Sequence, residues 1–281
     1  MPATWEGMRF RLDVIPDPMA DSWWLTPFAI ALVVGMLCPL AGTALLVQRR
    51  LFQINLISHA VLPGLAVALF WGIEPGLGGL ISGVLFALLA ERMTSALPQG
   101  DRNREAVLNS VLAGSLGLGV LLIPLLGIRV DLEAVLFGDL LAAGPRELIQ
   151  SLVALALIVT LLALRYRQYV YLGVDPVGAQ AAGLRVNTLR FLLTLVAAAA
   201  VVSAVSAVGI VLVVSLMAAP ALLAMPKARS LQQALLRSAL WGLLLSGAGF
   251  VFAVQPAINL PPGPVIGVVC MATLPLQLLR R

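Results

Sequence analysis

Residues 55–70 read NLISHAVLPGLAVALF, an almost wholly apolar stretch that contains His59, the one histidine of the chain. The same character extends in both directions, because the chain is 60% hydrophobic and 11% charged. Its mean hydropathy is +1.02. A helix needs about 20 apolar residues to cross about 30 Å of hydrocarbon. Composition alone therefore indicates a membrane protein and excludes an ordinary water-soluble domain.

Nine apolar stretches approach the length of a membrane span, and we expect eight or nine of them to be real spans. They lie near 24–47, 51–71, 77–96, 107–127, 148–164, 189–206, 208–225, 235–254 and 263–279. Their residues are continuously apolar and do not alternate, which argues against a β-barrel. We predict an all-α polytopic membrane protein with 8–9 transmembrane helices in a single bundle.

The N-terminal residues differ from the rest of the chain. Residues 1–22 are polar, include four acidic residues, and lack the basic-then-apolar order of a signal peptide. We predict that they form a retained polar tail. Residues 23–281 are then one transmembrane domain.

The basic residues predict the orientation of the spans. If the N-terminus lies outside, 14 of the 18 Lys and Arg residues fall in inner loops. The positive-inside rule then favours nine spans, with the C-terminus inside, in the cell membrane. These charges are spread over several loops and are not gathered on one face, so no nucleic-acid partner is predicted.

The chain lacks the usual means of driving transport. No Asp or Glu follows Asp175, and the earlier carboxylates lie mostly at span ends or in loops. Ion-coupled transporters carry carboxylates in mid-membrane, so ion-gradient coupling is not expected. The chain also has no GxxxxGK[ST] motif, and its single lysine, Lys227, follows a proline. If the protein is a pump, ATP is bound and hydrolysed by another chain.

His59 is the first candidate for a functional residue. On a helix, Asn55 lies four residues earlier on the same face. Pro63 lies four residues later and has no N–H to donate to the carbonyl oxygen of His59. One short face thus presents an amide, an imidazole and a freed carbonyl, which suit zinc or, through the oxygens, manganese. The alternative is that His59 hydrogen-bonds a neighbouring helix and stabilises packing.

Five stretches resemble motifs of the permeases of zinc- and manganese-importing ABC transporters. They are ISHAVLPGLAVAL at 57–69, VDLEAVLFGDLL at 130–141, GVDPVGAQAAGL at 173–184, AVGIVLVVSLMAAPALLA at 207–224 and LPPGPVIGVV at 260–269. Each motif is weakly specific by itself. Five in the family's order and spacing are a specific signal, and they cover nearly the whole chain after the tail.

This resemblance implies an importer permease that is not itself an enzyme and holds no permanently bound cofactor. A homodimer of the permease would surround a central pathway, with two copies of an ATP-binding subunit below it and a metal-binding receptor protein above it. The transported substrate would be zinc or manganese, with iron as a further option. The importing direction follows from the resemblance alone.

The resemblance also implies roles for particular residues. His59 would belong to the metal pathway, together with Asn55, where the family usually has Asp, and Glu105, where the family commonly has an acid. Asp175, Pro176, Ala179 and Gly183 fall in the inner segment that contacts the ATPase in the family. The composition of 175–184 favours a short helix that begins at Pro176 and stops at Gly183.

Acidic residues of the outer loop form a further candidate site. Asp131, Glu133 and Asp139 lie close to where a receptor would dock, and they would attract cations to the outer opening of the pathway. The alternative is a solvated loop with a helix-capping Asp.

Other functions compete with the metal permease. A permease for a metal chelate, such as a siderophore or cobalamin, would have a wide apolar pathway without a direct ligand. An intramembrane enzyme would need paired aspartates, HExxH or a Ser–His pair, and Ser58 and His59 are adjacent and so point in different directions on a helix. A passive channel would show flux without ATP.

Overall fold

The computed structural model describes residues 24–96, 101–128, 138–255 and 260–275, and within these ranges the chain forms ten α-helices and no strand. The helices are α1 (Leu25–Val47), α2 (Phe52–Phe70), α3 (Pro75–Ala96), α4 (Asp101–Leu125), α5 (Pro145–Val174), α6 (Pro176–Ala181), α7 (Val186–Val208), α8 (Ile210–Ala224), α9 (Leu231–Ala253) and α10 (Pro262–Thr273). The predicted tail at 1–22 lies outside the described residues.

Eight of these helices are long and apolar enough to cross a membrane, namely all except α6 and α10. The prediction of an all-α membrane bundle is therefore confirmed for the described residues. Helices suit this setting because hydrocarbon cannot hydrogen-bond the backbone, whereas a helix pairs its own N–H and C=O groups.

The last predicted span, at 263–279, is described only as far as residue 275. Helix α10 has 12 residues, and at about 1.5 Å per residue it is about 18 Å long, less than the hydrocarbon thickness. Pro275 follows two residues after its end. Proline has no N–H to donate to the carbonyl oxygen four residues earlier, so the regular helical hydrogen bonding stops before it.

Helix α1 lies at the centre of the bundle and contacts α5, α7, α8 and α9. Glycines allow these close approaches. A Cβ atom at Gly35 would lie 2.8 Å from the Ser246 Cβ on α9, and one at Gly42 would overlap the backbone of Met217 on α8. The Ser246 hydroxyl also donates to the carbonyl oxygen of Ala31 at 2.7 Å. Close packing and a buried hydrogen bond thus hold the centre together.

Helices α2 and α3 form an antiparallel hairpin, with α4 packed against α2. The turn after α2 is closed by Gly72, whose φ of +66° favours glycine. Gly64 and Gly78 face each other where the helices cross, so closely that a Cβ on either would overlap the other's carbonyl oxygen. The Ser82 hydroxyl donates to the carbonyl oxygen of Ala60 nearby.

One end of the bundle gathers residues that the charge pattern places outside. Glu74, between α2 and α3, forms an ion pair of 2.6 Å with Arg146 of α5. It also accepts a hydrogen bond of 2.9 Å from the Gln150 amide. At the turn between α7 and α8, Gly138 packs so closely on Val208 and Gly209 that a Cβ would overlap their backbone.

Replacing Gly78 by alanine is expected to destabilise the hairpin, because the added methyl group meets backbone that cannot move independently. Overpacking of this kind costs roughly 1–3 kcal/mol. The matched control is Gly76→Ala on the same helix, where nothing lies within 4 Å of the added atom. Thermal unfolding of the purified chain in detergent should show a lower midpoint for Gly78→Ala alone. Equal midpoints for the two variants would contradict the close crossing.

Candidate functional site

Asn55 and His59 form a partly open strip on α2. Both are half-buried, whereas Ile54, the three residues 56–58 and Ala60 are buried. The Nδ1 atom of His59 is buried, and no group among the described residues hydrogen-bonds it. The neighbouring Ser58 hydroxyl, by contrast, donates to the carbonyl oxygen of Ile54 at 2.9 Å. The alternative interpretation is that a neighbouring helix holds His59 by a hydrogen bond. Among the described residues, no such bond is present at Nδ1.

The open strip ends at Pro63, one turn after His59. Pro63 is buried inside α2, and Gly119 of α4 packs directly on it. A Cβ atom at Gly119 would lie 2.7 Å from the Leu62 Cβ and 3.0 Å from the Pro63 nitrogen. The α2–α4 contact thus closes this face above His59.

Below His59, the same face opens into a pocket of about 620 Å³. Asn55 and Glu105 both line it, so the structure brings together two of the three predicted pathway residues, and His59 lies one turn further along α2. This opening is called the inner pocket. It is lined by Leu46, Arg49, Arg50, Leu51, Phe52, Ile54, Asn55, Arg104, Glu105, Leu108, Val214 and Ala218.

Helix α4 carries a second polar strip that the sequence analysis did not identify. Asn109 lies one turn beyond Glu105, and both are exposed. Two residues four apart share a helix face, so the pair on α4 parallels the pair Asn55 and His59 on α2. The i, i+4 spacing of the two polar residues was the available signal.

The inner pocket also contains arginines that the sequence analysis used only for orientation. Both terminal nitrogens of the Arg50 guanidinium donate to the carboxylate of Glu91 on α3. Arg50 is only 6% exposed and Glu91 30%. Arg104 and Arg190 act electrostatically on the same carboxylate. Groups that the charge pattern assigns to one side of the membrane therefore meet at one end of the bundle.

Within the described residues, no group of three or more His, Cys, Asp or Glu side chains is arranged to hold a metal ion. One copy of the protein thus offers a single imidazole, that of His59, with the amide oxygen of Asn55 and the carbonyl oxygen of His59 close to it in sequence. This donor set is incomplete for a tight site, in which zinc usually has four ligands.

The outer acidic residues are not brought to His59. Asp131 and Glu133 lie outside the described residues. Asp139 lines a separate pocket of about 350 Å³, together with Glu147, Val61 and Leu65. Val61 follows His59 by two residues, which is about 200° around the helix. Asp139 therefore lies against the opposite face of α2.

The carboxylates of the outer pocket already have backbone partners. The Asp139 carboxylate accepts a hydrogen bond of 3.2 Å from the Ala142 N–H. The Glu147 carboxylate accepts one of 2.9 Å from the Gly144 N–H at the start of α5. Glu147 thus caps the start of α5, whereas Asp139 stabilises the turn before that helix. The predicted cation-attracting role of Asp139 stays a prediction.

The short helix predicted at the inner segment is present as α6. Asp175 precedes it, and its carboxylate accepts a hydrogen bond of 2.9 Å from the Gly178 N–H. Pro176 is the first residue of the helix, Ala179 is buried, and Gly183 follows the helix with a φ of +82°. Val177 is 79% exposed. A short, capped helix that projects an apolar side chain is a suitable shape for docking another protein.

Comparisons with known proteins agree with this architecture. The sequence profile of the ABC 3 transport family matches residues 22–280. The manganese transport system membrane protein of Halalkalibacterium halodurans is 32% identical over 226 residues, which are 80% of this chain and 76% of that protein. The chelated iron transport system membrane protein of Yersinia pestis is 27% identical over 263 residues, 93% of this chain and 86% of that protein.

The fold is also that of a solved structure, PsaBC from Streptococcus pneumoniae in complex with Fab. The TM-score is 0.80, the sequence identity is 24%, and the match covers 90% of each chain. The protein is therefore a multi-pass helical membrane protein that shares the fold of this structure. It belongs to the ABC 3 transport family, which confirms the resemblance stated from its motifs.

Removing the buried ion pair is expected to destabilise the inner end of the bundle. Glu91→Gln leaves the Arg50 charge buried without its carboxylate, and breaking such a pair costs roughly 3–5 kcal/mol. The matched control is Glu74→Gln, which removes the ion pair with Arg146. Because Arg146 is 68% exposed, that loss costs about 1 kcal/mol or less. Thermal unfolding in detergent should separate the two variants clearly, and similar midpoints would contradict this prediction.

Proposed function

We propose that the chain is the membrane subunit of an ATP-driven importer of a divalent transition metal, and that His59 is a ligand in its pathway. Family membership supports an ABC transporter subunit, and the names of the manganese and chelated-iron relatives support metal as the substrate. The single observation that carries the site is the half-buried imidazole on the open strip of α2, whose Nδ1 has no protein partner among the described residues.

The ligands of this strip suit a cation that must be released again. His59 supplies a neutral imidazole nitrogen, Asn55 an amide oxygen, and the carbonyl oxygen of His59 is freed by Pro63. Nitrogen with oxygen donors suits zinc, manganese or iron, and softer sulfur ligands are not needed. Without a carboxylate at residue 55, the bound charge is only partly neutralised. Weak binding of this kind favours transport over storage.

A second copy of the chain would complete the coordination. One chain supplies one imidazole, so two copies around a shared pathway would supply two, with water or the second strip filling the remaining positions. The exposed face of α4 supports such a partner, because Ser110, Gly114 and Gly117 are exposed within a membrane-spanning helix. Small residues at this spacing allow helices of neighbouring chains to approach closely.

The ATP-binding subunits would act on the chain through α6, and the metal ion would enter at the opposite end of the bundle. The exposed Val177 and the capped helix around it would dock one of two ATP-binding subunits. A metal-binding receptor would deliver the ion near the outer loop that contains Asp131, Glu133 and Asp139. The pathway is open below His59 and closed above it by the α2–α4 contact, which fits a state that has released its ion. ATP binding in the partner subunits would then close the pathway below His59 and open it above His59.

A chelate permease is the second candidate. It is supported by the relative named as a chelated iron transport protein and by the inner pocket, because its volume of about 620 Å³ falls within the range of small-molecule sites. In this alternative the substrate carries its own ligands, and His59 is not needed for coordination. An intramembrane enzyme has no comparable support.

The decisive test of the proposed function is metal accumulation in metal-starved cells that are given zinc, manganese or iron separately. We expect one metal to accumulate only when the intact chain is present. His59→Ala should lower this accumulation about tenfold or more, as expected when a metal ligand is lost. Elemental mass spectrometry measures the metal, and immunoblots equalise the amount of protein in the membrane.

The matched control is Ser58→Ala, which removes a neighbouring polar group that donates a hydrogen bond to the carbonyl oxygen of Ile54 in its own helix. It should transport normally. Normal accumulation by His59→Ala would overturn the ligand role and leave the permease assignment intact. Chain-dependent uptake of a preformed chelate, without uptake of the free ion, would favour the second candidate.

Docking of the ATPase is tested separately at α6. Val177→Asp places a charge on a surface that is solvent-exposed in the isolated chain, so the chain should still fold. It should abolish co-purification of the ATP-binding subunit and reduce metal uptake to the level of a deletion, because burying an unpaired carboxylate is costly. Val177→Ile keeps the surface apolar and should behave like the native chain. Retained co-purification and uptake in Val177→Asp would exclude α6 as the docking site.

A further inference from the structure

A long apolar groove separates α3 from α5, which have hardly any direct contact with each other. Helix α7 packs against both of them and forms the floor of the groove. The part of the groove nearest to Glu74 has a volume of about 340 Å³. Most of the residues that line it are aliphatic, among them Leu77, Leu80, Ile149, Val153, Ala199 and Val202.

The groove continues along α3 towards the middle of the membrane. A second opening of about 370 Å³ shares Leu80 with the first, and it is lined by α3 as far as Leu88 and by Leu195 of α7. The two openings together are called the lateral groove. From Glu74 to Leu88 the helix rises about 21 Å, whereas one leaflet contributes about 15 Å of hydrocarbon. The lateral groove is therefore long enough for an acyl chain of one leaflet.

The polar end of the lateral groove lies where the membrane meets water. Trp71, three residues before Glu74, is 68% exposed, and tryptophan is enriched at this level of a bilayer. The charge pattern of the loops predicts that this end of the bundle is the outer one. Leu77, Ile149 and Val153 are exposed although they lie in membrane-spanning helices. The lateral groove is thus open sideways, to the lipid of the outer leaflet.

Glu74 and Arg146 present both signs of charge at the polar end. The Arg146 guanidinium and the Gln150 amide contact the same oxygen of the Glu74 carboxylate, Oε1. Among the described residues, no hydrogen bond to the other oxygen, Oε2, is present. Arg146 is exposed, and a guanidinium has five N–H donors. A ligand can therefore bind to both side chains while the ion pair stays intact.

The headgroup of phosphatidylethanolamine matches this pair of charges. Its primary ammonium has three N–H donors, as lysine has, and one of them can be donated to Oε2 of Glu74. Its phosphate, next to the ammonium, can accept from the outward N–H groups of Arg146. Phosphatidylcholine has a quaternary ammonium without an N–H. Phosphatidylglycerol has no positive charge for the carboxylate. The polar end therefore distinguishes among phospholipids.

We propose that the lateral groove binds one molecule of phosphatidylethanolamine from the outer leaflet. An acyl chain lies between α3 and α5, the ammonium is bound by Glu74, and the phosphate lies beside Arg146. Side chains along an unfilled gap would lack partner atoms and lose dispersion contacts, and a flexible acyl chain supplies them. The lipid thereby links the hairpin of α2 and α3 to α5. The site does not depend on metal transport, because it follows from the groove and its two charges.

The test is native mass spectrometry of the purified full chain in detergent, with an equal mixture of phosphatidylethanolamine and phosphatidylcholine that carry the same acyl chains. The native chain should retain phosphatidylethanolamine in excess. Glu74→Gln keeps the size of the side chain and removes its charge, so the excess should fall about fivefold, as expected for the loss of a charge-assisted hydrogen bond. This variant should fold, because the ion pair that it removes is largely exposed.

A second variant tests the apolar part of the lateral groove. Ala199→Phe places a ring on the floor, so it should lower the retention of both lipids. Its matched control is Ala156→Phe, at an exposed position of α5 that does not line the groove. The matched control for Glu74→Gln is Glu105→Gln, which removes an exposed carboxylate at the other end of the bundle. Both controls should retain lipid like the native chain.

Several results would overturn the proposal. These are equal retention of the two lipids by the native chain, a preference for phosphatidylglycerol when it is added to the mixture, and an excess of phosphatidylethanolamine that Glu74→Gln leaves unchanged. A lower dimer fraction in Ala199→Phe with unchanged lipid retention would show that a second copy of the chain fills the groove. If Ala199→Phe does not fold, judged by gel filtration and thermal unfolding, the comparison of Glu74→Gln with Glu105→Gln still decides.

Discussion

A membrane interior offers no water to hydrogen-bond polar groups, and this constraint explains where the chain places them. Backbone groups are paired within helices. Two ion pairs among the described residues lie near opposite ends of the bundle, that of Glu91 at one end and that of Glu74 at the other. The Nδ1 atom of His59 lies within a span and has no protein partner among the described residues, as is also true of several side-chain oxygens such as that of Thr43. His59 differs from these oxygens because an imidazole nitrogen is a good ligand for transition metals. Leaving such a nitrogen unpaired costs free energy unless something else binds it.

Close packing at a glycine leaves the surface around His59 open on one side only. Gly119 lets α4 reach Leu62 and Pro63, and the pair thereby closes the face of α2 above His59. Below it, the same two helices diverge into the inner pocket. Helix α2 therefore carries both His59 and the point, at Pro63, where the open face ends. A small change in the α2–α4 contact would move that point.

Much of the fold could be predicted from the sequence, because apolar length and loop charge are local properties. The spans, the short helix at Pro176–Ala181 and the shared face of Asn55 and His59 follow from such patterns. Which helices are neighbours does not. The meeting of Asn55 with Glu105 in one pocket, the position of Asp139 behind α2 and the different surroundings of Gly117 and Gly119 all depend on packing between distant segments. The ion pair of Arg50 could not be predicted either, because its partner, Glu91, lies 41 residues away in the sequence.

The most direct test of the role of His59 is X-ray absorption spectroscopy of zinc or manganese bound to the purified full chain. If His59 is a ligand, the native spectrum contains the scattering pattern of an imidazole, with a zinc–nitrogen distance of about 2.0–2.1 Å. The His59→Ala chain, loaded under the same conditions, should lack that pattern because the chain contains no other histidine. An identical spectrum from both chains would contradict the assignment, since the metal would then be bound elsewhere.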